Sequence, residues 1–219
     1  MTKKNKMKLK ICGMKYLENI QEVAALQPDY LGFIFYEKSK RNFEGVIPVI
    51  SKSIKKTGVF VNASTDEVIA KINLYDLQTV QLHGDESVGF CKELRSQFFN
   101  SIELEIIKVF GIKDEFNFDT LKPYLRVVDY FLFDTKGKER GGNGVAFNWN
   151  ILEKYPFTKP FFLSGGIGLE QQEEIHQIRK TDLPIYALDV NSKFENKQGF
   201  KKIEDLKKFK ENVITSKAK

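Results

Sequence analysis

The sequence Pro160-Phe161-Phe162-Leu163-Ser164-Gly165-Gly166-Ile167-Gly168 joins a short apolar run to a cluster of glycines. The apolar run predicts a buried strand over residues 160–164, and the pattern that follows predicts a helix over residues 169–178. Glycines between a strand and a helix let backbone N–H groups come close to an anion, which the positive end of the helix dipole also attracts. The stretch is therefore a strand–loop–helix unit with a candidate anion site at the carboxyl end of its strand.

Strand and helix patterns alternate in the same way through the rest of the chain. The predicted strands cover residues 9–12, 30–35, 57–61, 79–83, 105–110, 130–134, 160–164 and 185–190. The predicted helices cover residues 17–26, 46–53, 65–73, 87–97, 117–125, 148–155, 169–178 and 202–212. Such alternation implies right-handed βαβ units and a parallel sheet. Eight units in 219 residues predict an α/β protein with a single-domain (β/α)8 TIM barrel.

We place the barrel at residues 8–213, with short lysine-rich ends at residues 1–7 and 214–219. The alternative architecture is an open, doubly wound sheet, which would carry a glycine fingerprint after its first strand. Here the glycine clusters follow the sixth and seventh predicted strands instead. Pro48 and Pro123 interrupt two of the helical patterns, because proline lacks the N–H that a helix interior needs.

The net charge of +6 is located at the two ends of the chain. Residues 1–8 and 201–219 together carry +8, which leaves −2 for residues 9–200. A protein that binds nucleic acid usually presents a basic face on its folded body, so we expect no nucleic-acid partner. No apolar run is long enough to cross a membrane. We therefore predict a cytoplasmic protein without a membrane segment.

Several reactive side chains fall where predicted strands end. In a barrel of this kind the active site is built at the carboxyl ends of the strands. Strand alternation adds a direction, because Leu9 and Ile11 must face outward under the helices, so Lys10 and Cys12 face inward. A buried Lys10 requires a carboxylate partner. The polar residues at these ends are Cys12, His83, Asp134, Ser164 and Asp189, with Arg41 in the loop after the second strand.

Three loops at the same end of the predicted barrel are candidates for binding phosphate. Gly165 and Gly166 follow the seventh strand, and Asn191 and Ser192 follow the eighth, which are the usual phosphate-binding positions in this fold. The loop after the sixth strand, with Gly142 and Gly144, could close over a ligand. These positions predict a small phosphorylated molecule as the substrate. The two cysteines, Cys12 and Cys91, complete no metal or redox motif.

Four segments at strand ends, in this order, resemble those of the phosphoribosylanthranilate isomerase family. The resemblance extends from about residue 8 to about residue 210 and is supported by Gly32-Phe33-Ile34-Phe35, Ser39-Lys40-Arg41 and Val59-Phe60-Val61-Asn62. The four segments are Lys10-Ile11-Cys12-Gly13, Val80-Gln81-Leu82-His83-Gly84, Gly141-Gly142-Asn143-Gly144 and Ser164-Gly165-Gly166-Ile167.

The resemblance implies an Amadori rearrangement in tryptophan biosynthesis. N-(5-phosphoribosyl)anthranilate becomes 1-(2-carboxyphenylamino)-1-deoxyribulose 5-phosphate, with no metal and no cofactor. A general acid opens the ribose ring, and a general base removes the proton at C2. By resemblance Asp134 is the acid and Cys12 the base, with Arg41 on the anthranilate carboxylate. A thiolate is a competent base if its pKa is lowered, and Lys10 is one group that could do so.

Three residues have alternative interpretations. Asp189 matches a family aspartate near the sugar, but it could equally be the partner of Lys10. His83 either lines the site or is a structural histidine. After the eighth strand the family usually has Ser-Ser-Gly, whereas this chain has Asn191-Ser192-Lys193. Lys193 could therefore contact the phosphate or point to solvent.

Other functions remain possible from the sequence. Another phosphosugar barrel is one alternative. Indole-glycerol-phosphate synthase would require a catalytic lysine and glutamate inside the barrel, and a pentose-phosphate epimerase would require metal-binding histidines at strand ends. A non-catalytic phosphosugar-binding protein is a second alternative, against which Cys12 and Asp134 argue. The protein is either a monomer or a homodimer.

Overall fold

The computed structural model describes residues 7–98, 104–113, 115–135 and 148–215. Eight parallel strands close into one barrel in sequence order. The closing contact pairs β1 with β8 and places Lys10 opposite Asp189. The predicted TIM barrel is confirmed. The strands are β1 (Lys8–Ile11), β2 (Tyr30–Phe35), β3 (Lys55–Phe60), β4 (Thr79–Leu82), β5 (Glu105–Ile112), β6 (Tyr130–Thr135), β7 (Phe161–Leu163) and β8 (Ile185–Val190).

Helical segments connect most of the strands. The five α-helices are α1 (Leu17–Ala25), α2 (Thr65–Tyr75), α3 (Val88–Gln97), α4 (Gln172–Ile178) and α5 (Ile203–Phe209). Helix α2 begins at a capping box, in which the Ser64 side chain accepts from the Glu67 backbone and Glu67 accepts in return. Residues 118–124 and 149–154 form 3₁₀ helices where longer helices were predicted, and α5 continues as a π-helical segment over Lys210–Thr215.

The predicted helix over residues 46–53 is wrong, because this connection between β2 and β3 is irregular. Pro48 has no N–H to donate and disfavours helical geometry in the residue before it. Val46 and Val49 are 77% and 101% exposed, whereas Ile47 and Ile50 are partly buried and pack against the core. The apolar residues of this segment therefore reach the core from irregular backbone rather than from one face of a helix.

A short antiparallel hairpin follows β8 and was not predicted. It consists of β9 (Glu195–Lys197) and β10 (Phe200–Lys201). Asn19 of α1 holds it in place, because its side chain donates to the Lys201 carbonyl at 3.0 Å and accepts from the Lys201 N–H at 2.6 Å. Gly199 turns the chain with a φ of 82°, which glycine adopts without a side-chain clash. The hairpin therefore lies beside the carboxyl end of β1.

Apolar packing occurs in two layers, one inside the barrel and one between the strands and helices. Leu9 and Ile11 lie in the outer layer, as strand alternation predicted. No helix in the described part of the chain is long and apolar enough to span a membrane. The inner layer consists of Tyr30, Ile107, Val109, Leu132, Phe162 and Ala187.

Candidate active site

Cys12 lies at the carboxyl end of β1 and is 5% exposed. Its N–H donates to the Val190 carbonyl at 2.9 Å, which fixes this corner against β8. Gly32 on the neighbouring strand makes room for the thiol, because a Cβ at that position would lie 2.8 Å from the Cys12 sulfur. A larger residue at position 32 would therefore clash with the Cys12 thiol, which explains the glycine in the Gly32-Phe33-Ile34-Phe35 segment.

Lys10 lies one inward-facing position below Cys12 and is fully buried. Its Nζ donates to Asp189 Oδ2 at 2.8 Å, so the carboxylate partner that Lys10 requires is Asp189. The second oxygen, Asp189 Oδ1, has no hydrogen-bond partner among the described residues. A buried oxygen without a partner is costly unless a ligand or water satisfies it. Asp189 can therefore serve Lys10 and still face the site.

Lys10 does not bring the pKa of the Cys12 thiol below its ordinary value. Burial raises this pKa above its ordinary value, and Lys10 and Lys201 reduce that rise without reversing it. Burial alone would lower the pKa of Lys10, but Asp189 and Cys12 together raise it. The lysine is therefore held as a cation beside a thiol that is mainly protonated near neutral pH.

Asp134 lies near the end of β6 and is 9% exposed. Burial, followed by the charge of Asp189, raises its pKa to about 6, while a hydrogen bond from the Thr135 N–H at 2.9 Å opposes the rise. Gly165, with a φ of 90°, packs against this carboxylate, since a Cβ there would lie 3.2 Å from Asp134 Oδ1. A carboxyl with such a pKa is suited to general acid chemistry near neutral pH.

His83 follows β4 directly and lies beside Asp134. Its Nε2 is 3.6 Å from Asp134 Oδ2, and its Nδ1 is 3.1 Å from Gln81 Nε2. Because the amide nitrogen of Gln81 donates, Nδ1 accepts and the neutral ring carries its proton on Nε2. The histidine thus presents an N–H towards the carboxyl group. The sequence allowed His83 to line the site or to be a structural histidine, and the structure favours the first.

Arg41, in the loop after β2, reaches the hairpin that follows β8. Its Nε donates to the two oxygens of Glu195 at 2.9 and 3.0 Å, and its Nη2 donates to Oε2 at 2.6 Å. The arginine also packs over the end of β1, because a Cβ on Gly13 would lie 2.8 Å from Arg41 Cδ and 2.7 Å from Asn191 Oδ1. Arg41, Cys12 and Asn191 therefore meet at one corner of the barrel.

The predicted phosphate-binding positions fall at this end as well. Gly165 and Gly166 both have positive φ, 90° and 64°, directly after β7. Ser192 begins a 3₁₀ turn after β8. The predicted positions Gly142 and Gly144 lie outside the described residues. Among those described residues, no cluster of three or more His, Cys, Asp or Glu side chains could hold a metal ion.

Lys193 has a surface partner. It pairs with Glu170 at 2.7 Å, and both side chains are well exposed. The pair joins the loop after β8 to the segment after β7. Of the two predicted roles, the structure favours the solvent-facing one.

Sequence reasoning missed Gln81, Glu195 and Lys201. Gln81 shares its strand face with Thr79 and His83, so alternation along β4 was a usable signal. Glu195 and Lys201 belong to a charged stretch that is typical of a solvated loop, although Lys201 is 1% exposed. No pattern in the sequence predicted that hairpin closure would bury them.

A family model described as N-(5'phosphoribosyl)anthranilate (PRA) isomerase matches residues 9–212. The chain belongs to the phosphoribosylanthranilate isomerase family. A member of that family, the N-(5'-phosphoribosyl)anthranilate isomerase of Parabacteroides distasonis, is 41% identical over 216 residues. The alignment covers 95% of this chain and 94% of that relative.

Solved structures of phosphoribosylanthranilate isomerases have the same fold. The enzyme from Thermus thermophilus superposes with a TM-score of 0.77 at 26% identity, covering 92% of this chain and 95% of that one. A second isomerase, solved in complex with reduced 1-(o-carboxyphenylamino)-1-deoxyribulose 5-phosphate, has a TM-score of 0.76 at 25% identity. Its alignment covers 94% of this chain and 98% of that chain. The predicted family, fold and enzyme class are confirmed, and the roles of individual residues stay predictions.

Proposed function

We propose that this isomerase-family chain converts N-(5-phosphoribosyl)anthranilate to 1-(2-carboxyphenylamino)-1-deoxyribulose 5-phosphate by acid–base catalysis. The observation that carries the proposal is that a thiol, Cys12, and a carboxyl, Asp134, are both buried at the carboxyl ends of their strands. Both are buried at one end of the barrel, and the carboxyl has a pKa of about 6. A protonatable carboxyl and a thiol are the acid and the base that this rearrangement requires.

In the first step, Asp134 donates its proton to the ring oxygen of the ribose. The bond from C1 to that oxygen breaks, its electrons stay on the oxygen, and the anthranilate nitrogen forms a Schiff base with C1. Asp134 becomes a carboxylate. His83 lies beside it, with Nε2 at 3.6 Å from Asp134 Oδ2. The raised pKa of Asp134 leaves roughly a tenth of the carboxyl protonated at pH 7, which sustains the acid form.

In the second step, the Cys12 thiolate takes the proton from C2. The electrons of the C–H bond form a C1=C2 double bond, the π electrons of the C1=N bond return to the nitrogen, and the resulting enolamine tautomerises to the ketone. The thiol must first lose its proton, and the nearby ammonium of Lys10 lowers the free energy of that thiolate. One cycle moves a proton from Asp134 to Cys12. Its return, directly or through solvent, restores the starting state.

The remaining site residues bind rather than react. Arg41 holds the anthranilate carboxylate through the guanidinium nitrogen that Glu195 does not use. The free oxygen of Asp189 accepts a hydrogen bond from a sugar hydroxyl. The phosphate lies against Gly165, Gly166, Asn191 and Ser192.

The test is a fluorescence assay with freshly prepared phosphoribosylanthranilate, in which turnover removes anthranilate-type emission. The wild-type protein should consume the substrate. Cys12→Ser should lose most of the turnover while still binding the product, because the serine hydroxyl is a far weaker base than the thiolate. Unchanged turnover in a folded Cys12→Ser variant would remove the assigned base. No turnover by the folded wild type would overturn the proposed reaction.

The setting of the reaction follows from the charge distribution and the family. We propose a cytoplasmic enzyme that acts on a small phosphorylated molecule, as a monomer or a homodimer, without a nucleic-acid partner. The positive charge at the chain ends supports solubility rather than a binding face.

A further inference from the structure

A buried ion cluster lies beside the proposed site, and none of its members gives or takes a proton in the proposed steps. Its centre is Glu195, the first residue of β9, which is 5% exposed. The carboxylate accepts from Arg41, from Lys201 Nζ at 2.7 Å and from the Gly199 N–H at 3.0 Å. Burial works to raise the pKa of Glu195, but Arg41 and Lys201 outweigh it and bring that pKa below its ordinary value. Glu195 is therefore an anion.

The contacts of Arg41 divide its guanidinium into a used edge and an unused edge. Nε and Nη2 both donate to Glu195, an arrangement that fixes the plane of the group as well as its position. Nη1 makes no hydrogen bond within the described part of the chain, and Arg41 is 15% exposed at its side chain. One donor edge is thus oriented in advance and remains available for a ligand.

The same cluster extends to the loop after β8. Lys201 Nζ, fully buried, donates to Asn191 Oδ1 at 2.7 Å and lies 3.5 Å from the Asn191 carbonyl. Together with Glu195, these acceptors match the three N–H bonds of an ammonium group. Burial lowers the pKa of Lys201, although Glu195 opposes that shift. The guanidinium of Arg41 stays charged, and this charge favours an anionic ligand at its unused edge.

We propose that Glu195 is a positioning residue, which orients Arg41 for the carboxylate of the substrate and, through Lys201, connects Arg41 to the Asn191 loop. This inference rests on the proposed function, because it assumes that Arg41 binds the anthranilate carboxylate. A substrate that carries a carboxylate at one end and a phosphate at the other would be held by one rigid set of contacts. Preorganisation of this kind lowers the entropy lost on binding.

The test compares two ligands on Glu195→Gln. One is the reduced 1-(2-carboxyphenylamino)-1-deoxyribulose 5-phosphate, and the other is its phenylamino analogue without the carboxylate. Since the variant frees Arg41 from its fixed orientation, it should bind the carboxylated ligand about tenfold more weakly and the analogue less than about twofold more weakly. In steady-state assays KM should rise by about tenfold while kcat changes by less than about threefold.

The matched control is Asp76→Asn, which makes the same change of carboxylate to amide in an exposed ion pair with Lys56. It should leave both affinities unchanged. Equal weakening of the two ligands by Glu195→Gln, or no weakening of either, would overturn the inference. A folded wild type without turnover would instead overturn the proposed function, which separates the two failures.

A second variant covers the case in which Glu195→Gln does not fold. Glu195→Asp keeps the charge that Lys201 requires but shortens the side chain, so it cannot span Arg41 and Lys201 together. It should lose about threefold in affinity for the carboxylated ligand and nothing for the analogue. A folded Glu195→Asp variant with an unchanged preference for the carboxylate would overturn the positioning role.

Discussion

The two ends of the barrel treat buried polar groups in opposite ways. At the amino-terminal end, Glu105 accepts from Lys55 at 2.5 Å, from the Tyr30 hydroxyl at 3.1 Å and from the Thr79 hydroxyl at 3.2 Å. Tyr30 also shares a hydrogen bond with Tyr186 at 3.0 Å. Burial and these neighbours raise the pKa of Tyr30, so its hydroxyl stays neutral.

At the carboxyl end, some buried polar groups lack partners. Asp189 Oδ1 and Gln81 Oε1 have no hydrogen-bond partner in the described ranges, and burial raises the pKa of Asp134 to about 6. Thr57, opposite Thr79 in the sheet, is an exception at the other end, because its buried hydroxyl has no hydrogen-bond partner within the described residues. A satisfied cluster stabilises the fold, whereas an unsatisfied one holds groups ready for a ligand. The comparison predicts that substitutions at the two ends affect different properties.

The largest expected effect is the loss of activity in Asp134→Asn. The amide cannot donate a carboxylic proton to the ring oxygen, so kcat/KM should fall by about a thousandfold. The fold should remain, since the two side chains have nearly the same shape. Turnover is measured by fluorescence and folding by far-UV circular dichroism. A folded variant with more than about a tenth of the wild-type kcat would exclude Asp134 as the acid.

The same substitution should increase stability in a pH-dependent way. The folded pKa of Asp134, about 6, lies above its ordinary value of 3.8. The protonated form therefore favours folding below pH 4, and that contribution disappears as the pH rises through 6. Asp134→Asn removes this loss, so its free energy of unfolding should exceed that of the wild type only slightly at pH 4 and by about 3 kcal/mol at pH 7.

Urea unfolding of both proteins from pH 4 to pH 7.5 measures this difference. A constant difference across that range would mean that Asp134 has an ordinary pKa and that the carboxyl end is not strained electrostatically. Asp76→Asn, at an exposed ion pair, is the control, because its carboxyl lies on the surface.

The sequence predicted the catalytic corner better than its surroundings. Strand alternation placed Lys10 and Cys12 inside the barrel, and the need for a buried partner pointed to a carboxylate, which is Asp189. These inferences succeeded because a strand has a fixed period of two. The helix over residues 46–53 failed because one proline removes the geometry that the apolar pattern assumed.

Glu195 and Lys201 were beyond reach for a different reason. Their burial depends on a hairpin of seven residues, 195–201, that folds back onto Asn19, and no local periodicity encodes that contact. The sequence also left open the direction of the Cys12 pKa shift. The sequence shows that a lysine lies near the thiol, but it does not show how far burial raises the pKa of Cys12 against the effect of that lysine.

A smaller effect is expected from Glu105→Gln at the amino-terminal end. The amide keeps an acceptor for the tyrosine but loses the ion pair with Lys55, whose side chain is 41% exposed. We expect the free energy of unfolding to fall by about 1 to 2 kcal/mol. The kcat/KM of the folded protein should not change, because no proposed site residue contacts Glu105. A loss of activity without a loss of stability would contradict the assignment of stability to the amino-terminal end and of activity to the carboxyl end.

The smallest effect is expected from Lys193→Ala, which tests whether this residue of the loop after β8 belongs to the substrate site. Lys193 belongs to the loop after β8 but pairs with Glu170 at the surface. An exposed pair of this kind contributes about 0.5 kcal/mol or less, so neither stability nor KM should change measurably. Lys122→Ala, which removes an exposed pair with Asp119 far from the strand ends, is the control. A KM increase of fivefold or more in Lys193→Ala alone, on the order expected for a lost phosphate contact, would make Lys193 a phosphate ligand that replaces the missing glycine of this loop.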